Sequence, residues 1–167
     1  MPTLHVDGLD FVFPDAWQAS KYDEWAFYRQ HFSKMCNGVK AMDVVALSPD
    51  KVAYLIEVKD YRHPDTEKPS LLPDAIATKV LHTLAALLPA KLSASDESER
   101  VLSRQLLGCR KLNIVVHVEQ SASHIPKVDL ADLKQKLKAR LRSVDTHVKV
   151  THKAMAPQPW TVHDGAH

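Results

Sequence analysis

Asp43 to Lys59, DVVALSPDKVAYLIEVK, is the stretch on which the reading of this chain turns. Two apolar runs, Met42 to Leu47 and Val52 to Val58, flank Ser48-Pro49-Asp50-Lys51, in which proline presets a backbone angle and aspartate bonds its own main chain. A β-hairpin is the predicted result. Successive strand residues face opposite ways, so Glu57 and Lys59 share a face with Leu55, while Tyr54, Ile56 and Val58 take the other. If Pro49 to Lys51 form a three-residue loop, Ser48 faces Val52. Asp43 then falls opposite Glu57, with Cβ atoms about 4.5–5.5 Å apart. A slip of one residue would send a whole strand's side chains to the wrong face. Two carboxylates so close hold a proton unless a cation lies between them. Mg²⁺ suits the position, because it prefers oxygen ligands and bridges one or two carboxylates to a phosphate.

Asp43, followed fourteen positions on by Glu57-Val58-Lys59 on an adjacent predicted strand, resembles the signature of the PD-(D/E)XK nuclease superfamily. The resemblance implies a restriction-endonuclease-like α/β fold, with a mixed central β-sheet flanked by helices on both faces. It implies that Asp43 and Glu57 bind Mg²⁺ or Mn²⁺, that Lys59 completes the catalytic set, and that Glu24 on a preceding helix is a further metal ligand. The implied activity is a divalent-metal-dependent DNA endonuclease or exonuclease that hydrolyses phosphodiester bonds. DNA is the implied partner, a homodimer is compatible with cutting two strands, and a targeting protein supplied in trans is expected. The chain departs from the superfamily in three places. Ala41-Met42 precede Asp43, few residues separate Gly38 from Asp43, and no glutamine helper follows the hairpin, for which Lys79 is the substitute.

The same residues also read as a solvent-facing cross-strand ion pair of little energetic worth. Their apolar neighbours argue against it, since Val44, Val45 and Ala53 to Ile56 make both strands look buried on both faces. Two other functional readings stay open: a catalytically inactive nuclease-fold binding or assembly subunit, and a metal-dependent hydrolase acting on RNA.

Composition narrows the classes. The 167 residues are 45% hydrophobic and 25% charged, as in an ordinary globular chain, and one nuclease-like domain over 1–167 is expected. Cys36 and Cys109 are too few for a zinc knuckle or a disulfide framework and read as free, partly buried thiols. A formal net charge of +2 excludes a global basic signature, so any nucleic-acid surface must be local. No apolar run approaches the roughly 20 residues of a membrane helix, and the acidic, aromatic N-terminus does not read as a signal peptide, so a cytoplasmic protein without a membrane partner is expected.

Upstream of the hairpin, Asp7-Gly8 between short apolar segments predicts a first, tight hairpin over residues 3–13. Ser20 is placed as the cap of a helix over 21–35, with Glu24 in its first turn and Trp25, Tyr28, Phe32 and Met35 toward the core. Downstream, Tyr61, Arg62 and His63 sit in a polar loop where they could contact a phosphate backbone or a base. A helix over 73–88 comes next, with Lys79 on its polar face, then a mobile segment near 89–96 and a helix capped near Asp96 that ends at Gly108. Residues 111–119 read as a central strand, with His117 and Glu119 at its end rather than as a metal pair. Over 128–143, Leu130, Leu133, Leu137 and Leu141 make a buried stripe, and the basic outer face offers Lys134 and Lys138 as candidate phosphate contacts. Residues 147–151 read as a short edge strand. The last segment, 156–167, reads as an irregular arm whose Trp160 docks on the body or on a second subunit.

Overall fold

The structure, a computed structural model, describes residues 1–64, 66, 68–155 and 158–166. Strands β1 (Thr3–Val6) and β2 (Leu9–Val12) form the first hairpin, with Val6 opposite Leu9. Its turn residues Asp7 and Gly8 have φ of 52° and 81°, the two positive angles that a type I′ turn requires.

Residues 18–37 depart from the single helix expected over 21–35. Ser20 lies in strand β3 (Gln18–Lys21), and the chain then makes a 3₁₀ turn at Tyr22–Glu24, a short α1 (Ala26–Gln30) and a second 3₁₀ segment at Phe32–Asn37. The buried residues are Tyr22, Trp25, Phe27 and Phe32, a spacing that no straight helix places on one stripe, so the segment breaks to bury them all. The break falls at Trp25, whose ψ is 136°. There Glu99, from far along the chain, accepts the N–H groups of Ala26 at 2.6 Å and Phe27 at 3.1 Å, satisfying donors that α1 leaves unpaired. Cys36 is exposed rather than partly buried, and it and Asn37 adopt positive φ as the chain turns.

The decisive hairpin has the expected register. In β4 (Val44–Leu47) and β5 (Val52–Asp60), Val44 faces Ile56 and Leu47 faces Ala53, while Ser48 N–H donates to the Val52 carbonyl at 3.0 Å. Lys51 takes the left-handed conformation, φ 59°, that closes the three-residue loop. Asp43 stands one position outward, opposite Glu57.

Helix α2 (Leu72–Ser93) continues past Pro89 and through most of the segment expected to be mobile. Proline costs a helix one hydrogen bond, but Ala86, Leu87 and Ala90 around it are buried and hold the last turns against the core. Together with the turn before it, the span Pro69–Ser93 is long and apolar enough to cross a membrane by length and composition, contrary to the sequence expectation. In this fold its Leu72, Ile76, Val80 and Ala90 are buried in the core. Helix α3 (Glu97–Leu107) begins where Asp96 accepts the N–H groups of Ser98 and Glu99, and Gly108 comes directly after its last residue. Strand β6 (Lys111–Glu119), helix α4 (Leu130–Leu141, capped by Asp129), and strands β7 (Lys149–Thr151) and β8 (Thr161–Asp164) complete the chain. Thus 161–164 is a strand paired with β2, not an irregular arm, while 156, 157 and 167 lie outside the described residues, as do loop positions 65 and 67.

The fold is α/β. Its larger sheet has the order β3-β4-β5-β6-β7, antiparallel as far as β5 and parallel from β5 to β7; β1, β2 and β8 form a second, three-stranded sheet. The helices do not flank the large sheet on both faces. Val45, Leu55, Ile114 and Val116 on one face pack with residues of α2, α3 and α4, including Ile76, Leu102 and Leu137. Val44, Ala46, Ile56 and Val58 on the other face are covered by Val6, Leu9, Phe11 and Trp160 from the small sheet and its neighbourhood. Leu9, Phe11 and Phe13 alternate along the chain and all are fully buried, so the first hairpin had an apolar face to hide and took the place of a helical layer. Trp160 docks on the body, 5.5 Å from Phe13 and 5.2 Å from Tyr54 between ring centres.

Candidate functional site

Three elements meet at Glu57. Strand β5 turns its side chain toward the helical layer, where it is fully buried, and its Oε1 receives Lys59 Nζ at 3.1 Å and Lys79 Nζ at 2.5 Å. Asp43 faces it from the start of β4, with Oδ2 accepting the Val58 N–H at 2.7 Å. Helix α2 fixes the approach to Asp43 as well as supplying Lys79. Thr83 Oγ1 accepts the Met42 N–H and His82 Nδ1 the Lys40 N–H, each at 2.9 Å.

Burial pushes the Glu57 carboxyl up to about 7, and the nearby Asp43 charge adds to the rise, against the pull of Lys79 and Lys59. Asp43 is raised for the same first reason, with Lys79, the Val58 N–H and Lys59 opposing. Glu57 therefore holds a proton for part of the time at neutral pH. Its Oε2, buried without a hydrogen-bond partner among the described residues, is the oxygen left to carry it.

Of the residues predicted for the site, Asp43, Glu57 and Lys59 come together, and Lys79 joins them as a full member rather than a substitute. Glu24 does not. Its carboxylate is half exposed, pairs with Lys21 at 2.7 Å, and is held low by that lysine. Asp23, one position earlier, borders the cluster instead. Burial and then the Asp43 charge raise its carboxyl, and its Oδ1 is buried without a partner among the described residues. The resemblance that pointed to Glu24 needs a helix there, and 22–24 is a 3₁₀ turn. Tyr28 stands near as well; burial raises its hydroxyl while Lys79 opposes the rise.

The loop candidates are placed differently from expectation. Tyr61 is buried in the main core and offers no face for a base to stack on. Arg62 forks onto the fully buried Asp60, with contacts of 2.8 and 2.6 Å, and reaches Asp164 at 3.1 Å, tying the end of β5 to β8. His63 is exposed and lies 3.5 Å from the same Asp60. Lys134 and Lys138 are exposed on α4 and make no described contact with the Glu57 cluster.

Among the described residues no group of three or more His, Cys, Asp or Glu side chains could hold a metal ion. Two carboxylates do meet at Asp43 and Glu57, and the unpartnered Oε2 of Glu57 is a free oxygen donor. These are the two carboxylates from which Mg²⁺ or Mn²⁺ was expected to draw ligands, but Lys59 and Lys79 already sit on Glu57 Oε1.

No protein-family model and no solved structure matches the chain. It is similar to a cysteine–tRNA ligase of Neisseria meningitidis serogroup A / serotype 4A (strain DSM 15465 / Z2491), with 33% identity over 168 residues, covering 80% of this chain and 24% of the ligase. The chain thus spans about a quarter of the length of the curated relative it matches. This likeness corrects the expected function. The relative is a tRNA ligase, an enzyme that makes a bond, and the DNA-nuclease and phosphodiester-hydrolase readings fall with it. What the likeness does give is a relation to a segment of an enzyme.

Proposed function

We propose that this chain is a tRNA-contacting domain of the kind carried within a cysteine–tRNA ligase chain, and that the Glu57 cluster is where it grips an RNA phosphate. The observation that carries the proposal is the 33% identity extending over 80% of the chain. The geometry supports it. Lys59 and Lys79 are anchored on one buried carboxylate and keep 16% and 20% side-chain exposure, so their charges are pre-positioned at a mouth rather than free to wander. Asp43 and Glu57 would hold Mg²⁺ or Mn²⁺, and the ion would supply a further positive contact for the same phosphate. Lys134 and Lys138 on the exposed face of α4 add non-specific attraction to the backbone. The sheet order, an antiparallel β3-β4-β5 unit continued by parallel β6 and β7, supports a restriction-endonuclease-like layout for this scaffold without lending it that family's activity.

The test is binding of a cysteine tRNA transcript and of a duplex DNA of equal charge, in Mg²⁺, by the native protein and by Lys59→Gln. Tighter binding of the tRNA, about tenfold, with a several-fold loss in the variant, is the expected result. Equal affinity for tRNA and DNA, or a Lys59→Gln protein that binds tRNA unchanged, refutes the proposal. Calorimetric titration of Mn²⁺ into the native protein and Asp43→Asn tests the ion separately; uptake is expected in the first and not the second.

A further inference from the structure

On the opposite face of the large sheet from Glu57, side chains of β6, β7 and β8, with His152, Lys153, Met155, Gln158 and Trp160, line a half-open cavity of about 280 Å³. Three of the side chains lining it carry a polar atom that is out of water and has no hydrogen-bond partner among the described residues: His117 Nδ1, Gln158 Oε1 and Trp160 Nε1. His117 and Trp160 are 1% and 3% exposed. A buried, unmade hydrogen bond costs about 1–3 kcal/mol, so three around one cavity are a marked exception to the rule that buried polar groups are satisfied.

The chemistry of each atom can be stated. Trp160 Nε1 is a donor and Gln158 Oε1 an acceptor. Glu119 Oε1 already accepts the Lys153 N–H at 2.7 Å and is an acceptor toward His117 Nε2 at 2.8 Å, so the histidine donates from Nε2. Burial lowers the His117 pKa and favours the neutral ring, although the hydrogen bond His117 donates to Glu119 opposes it; the neutral ring has a lone pair on Nδ1. The unsatisfied set is thus one donor and two acceptors. Trp160 and Val162 add apolar surface suited to a flat ring, and His152, Lys153 and His163 place basic side chains around the cavity.

We propose that this cavity is a binding site for a guanine base bearing a 5′-phosphate. The Watson–Crick edge of guanine presents one acceptor, O6, and two donors, N1–H and the 2-amino group, which is the complement of the three orphaned atoms. Adenine, cytosine and uracil each present a different set on that edge. His152 and His163 receive the phosphate, together with Lys153, whose ammonium pairs with Asp164 at 2.6 Å in the free protein. The site shares no residue with the Glu57 cluster and stands whether or not the tRNA reading does.

The experiment is calorimetric titration of the full chain with GMP, AMP, CMP, UMP and IMP. Binding of GMP at least tenfold tighter than that of AMP, CMP or UMP is expected. IMP, which lacks the 2-amino group, should bind about fivefold more weakly than GMP, as the loss of one hydrogen bond requires. Gln158→Met keeps the shape of the wall and removes one polar atom, and Trp160→Phe removes the indole N–H together with part of the buried ring; both should weaken GMP about tenfold. Thermal unfolding keeps this readout separate from folding: Gln158→Met should leave the free protein's Tm unchanged or raised, whereas Trp160→Phe should lower it by the buried volume lost, so the Gln158 variant decides the polar contribution. An RNA single strand with one guanosine, compared with the same strand carrying adenosine, identifies the source. Tighter binding than GMP assigns the site to an RNA base, and no gain assigns it to a free nucleotide. No binding of any nucleotide, equal binding of all, or variants that bind GMP as the native protein does would overturn the proposal.

Discussion

Replacing Glu57 with glutamine should remove a pH dependence from the stability of this protein. The Glu57 carboxyl rises from 4.5 to about 7 on folding, chiefly by burial and then by repulsion from Asp43. At 1.36 kcal/mol for each tenfold change in proton affinity, that rise corresponds to about 3 kcal/mol. The folded state binds the proton more tightly than the unfolded chain, so this contribution is complete below pH 4.5 and is lost as pH climbs through 7. Native protein should therefore lose about 3 kcal/mol between pH 4.5 and pH 8 from this group alone. Asp43 and Asp23, whose carboxyls are also raised, add to the slope in the same sense. Glu57→Gln keeps an oxygen for the lysines but cannot ionise, and it relieves Asp43 of a neighbouring charge. Urea unfolding across pH 4 to 8 measures both proteins, and the variant's curve should be clearly flatter. Parallel curves would mean that Glu57 is not held protonated by its surroundings, and the electrostatic account of the cluster would fail.

Lys79→Met withdraws one of the two cations on Glu57 and should cost about 3 kcal/mol at pH 8, where the carboxylate is charged. At pH 5, where Glu57 is protonated, the same unfolding experiment should find most of that cost gone. Arg62→Ala strands the buried Asp60. Burial works against that carboxylate, but the Arg62 fork holds it below its usual range, so the pair stabilises at neutral pH and the benefit fades as pH falls. A loss of about 3–5 kcal/mol at pH 7, narrowing toward pH 3, is expected in denaturant unfolding. Glu99→Gln exchanges a charged acceptor for a neutral one at the start of α1 and should cost about 1 kcal/mol in thermal unfolding, with a changed near-ultraviolet signal from the adjoining Trp25.

The register at the centre of the site was legible because two constraints met in a short stretch. The alternation in Ala53 to Lys59 set the facing of β5, and the length of the Pro49 to Lys51 loop then left Asp43 only one partner. Lys79 was visible on the polar face of a helix, but its meeting with Glu57 depends on where α2 crosses the sheet, which no local pattern encodes. Glu24 followed from the resemblance, which expects a glutamate on a helix before the hairpin, and Ser20 with Asp23 and Glu24 mimics the first turn of such a helix. Glu99 is what stabilises the broken alternative, and it lies more than seventy residues away in sequence. The β1–β2 hairpin was plain from Asp7-Gly8, yet nothing local said that its apolar face would occupy one side of the large sheet. The segment near 89–96 looks mobile in sequence, yet buried Ala90 and Ala94 keep it on the core and α2 runs to Ser93. The activity was misjudged for a different reason: a carboxylate pair with a lysine two positions on describes a local geometry, and a function is a property of the site's larger setting.

Strand β5 has a near neighbour on one side and a distant one on the other. Its antiparallel contact with β4 closes a loop of three residues, whereas its parallel contact with β6 must wait for the whole of α2 and α3 to be gathered in. Short loops cost little chain entropy to close and hairpins form within microseconds, while long crossovers are slow. This difference predicts that the two acids, Asp43 and Glu57, come face to face early, while still in water, and that the helix delivering Lys79 arrives over a pair already made. Dehydration of the carboxylates and arrival of their counter-charge become a single late event. Acidic conditions, which protonate the pair beforehand, should ease that step and speed the final closure of the sheet.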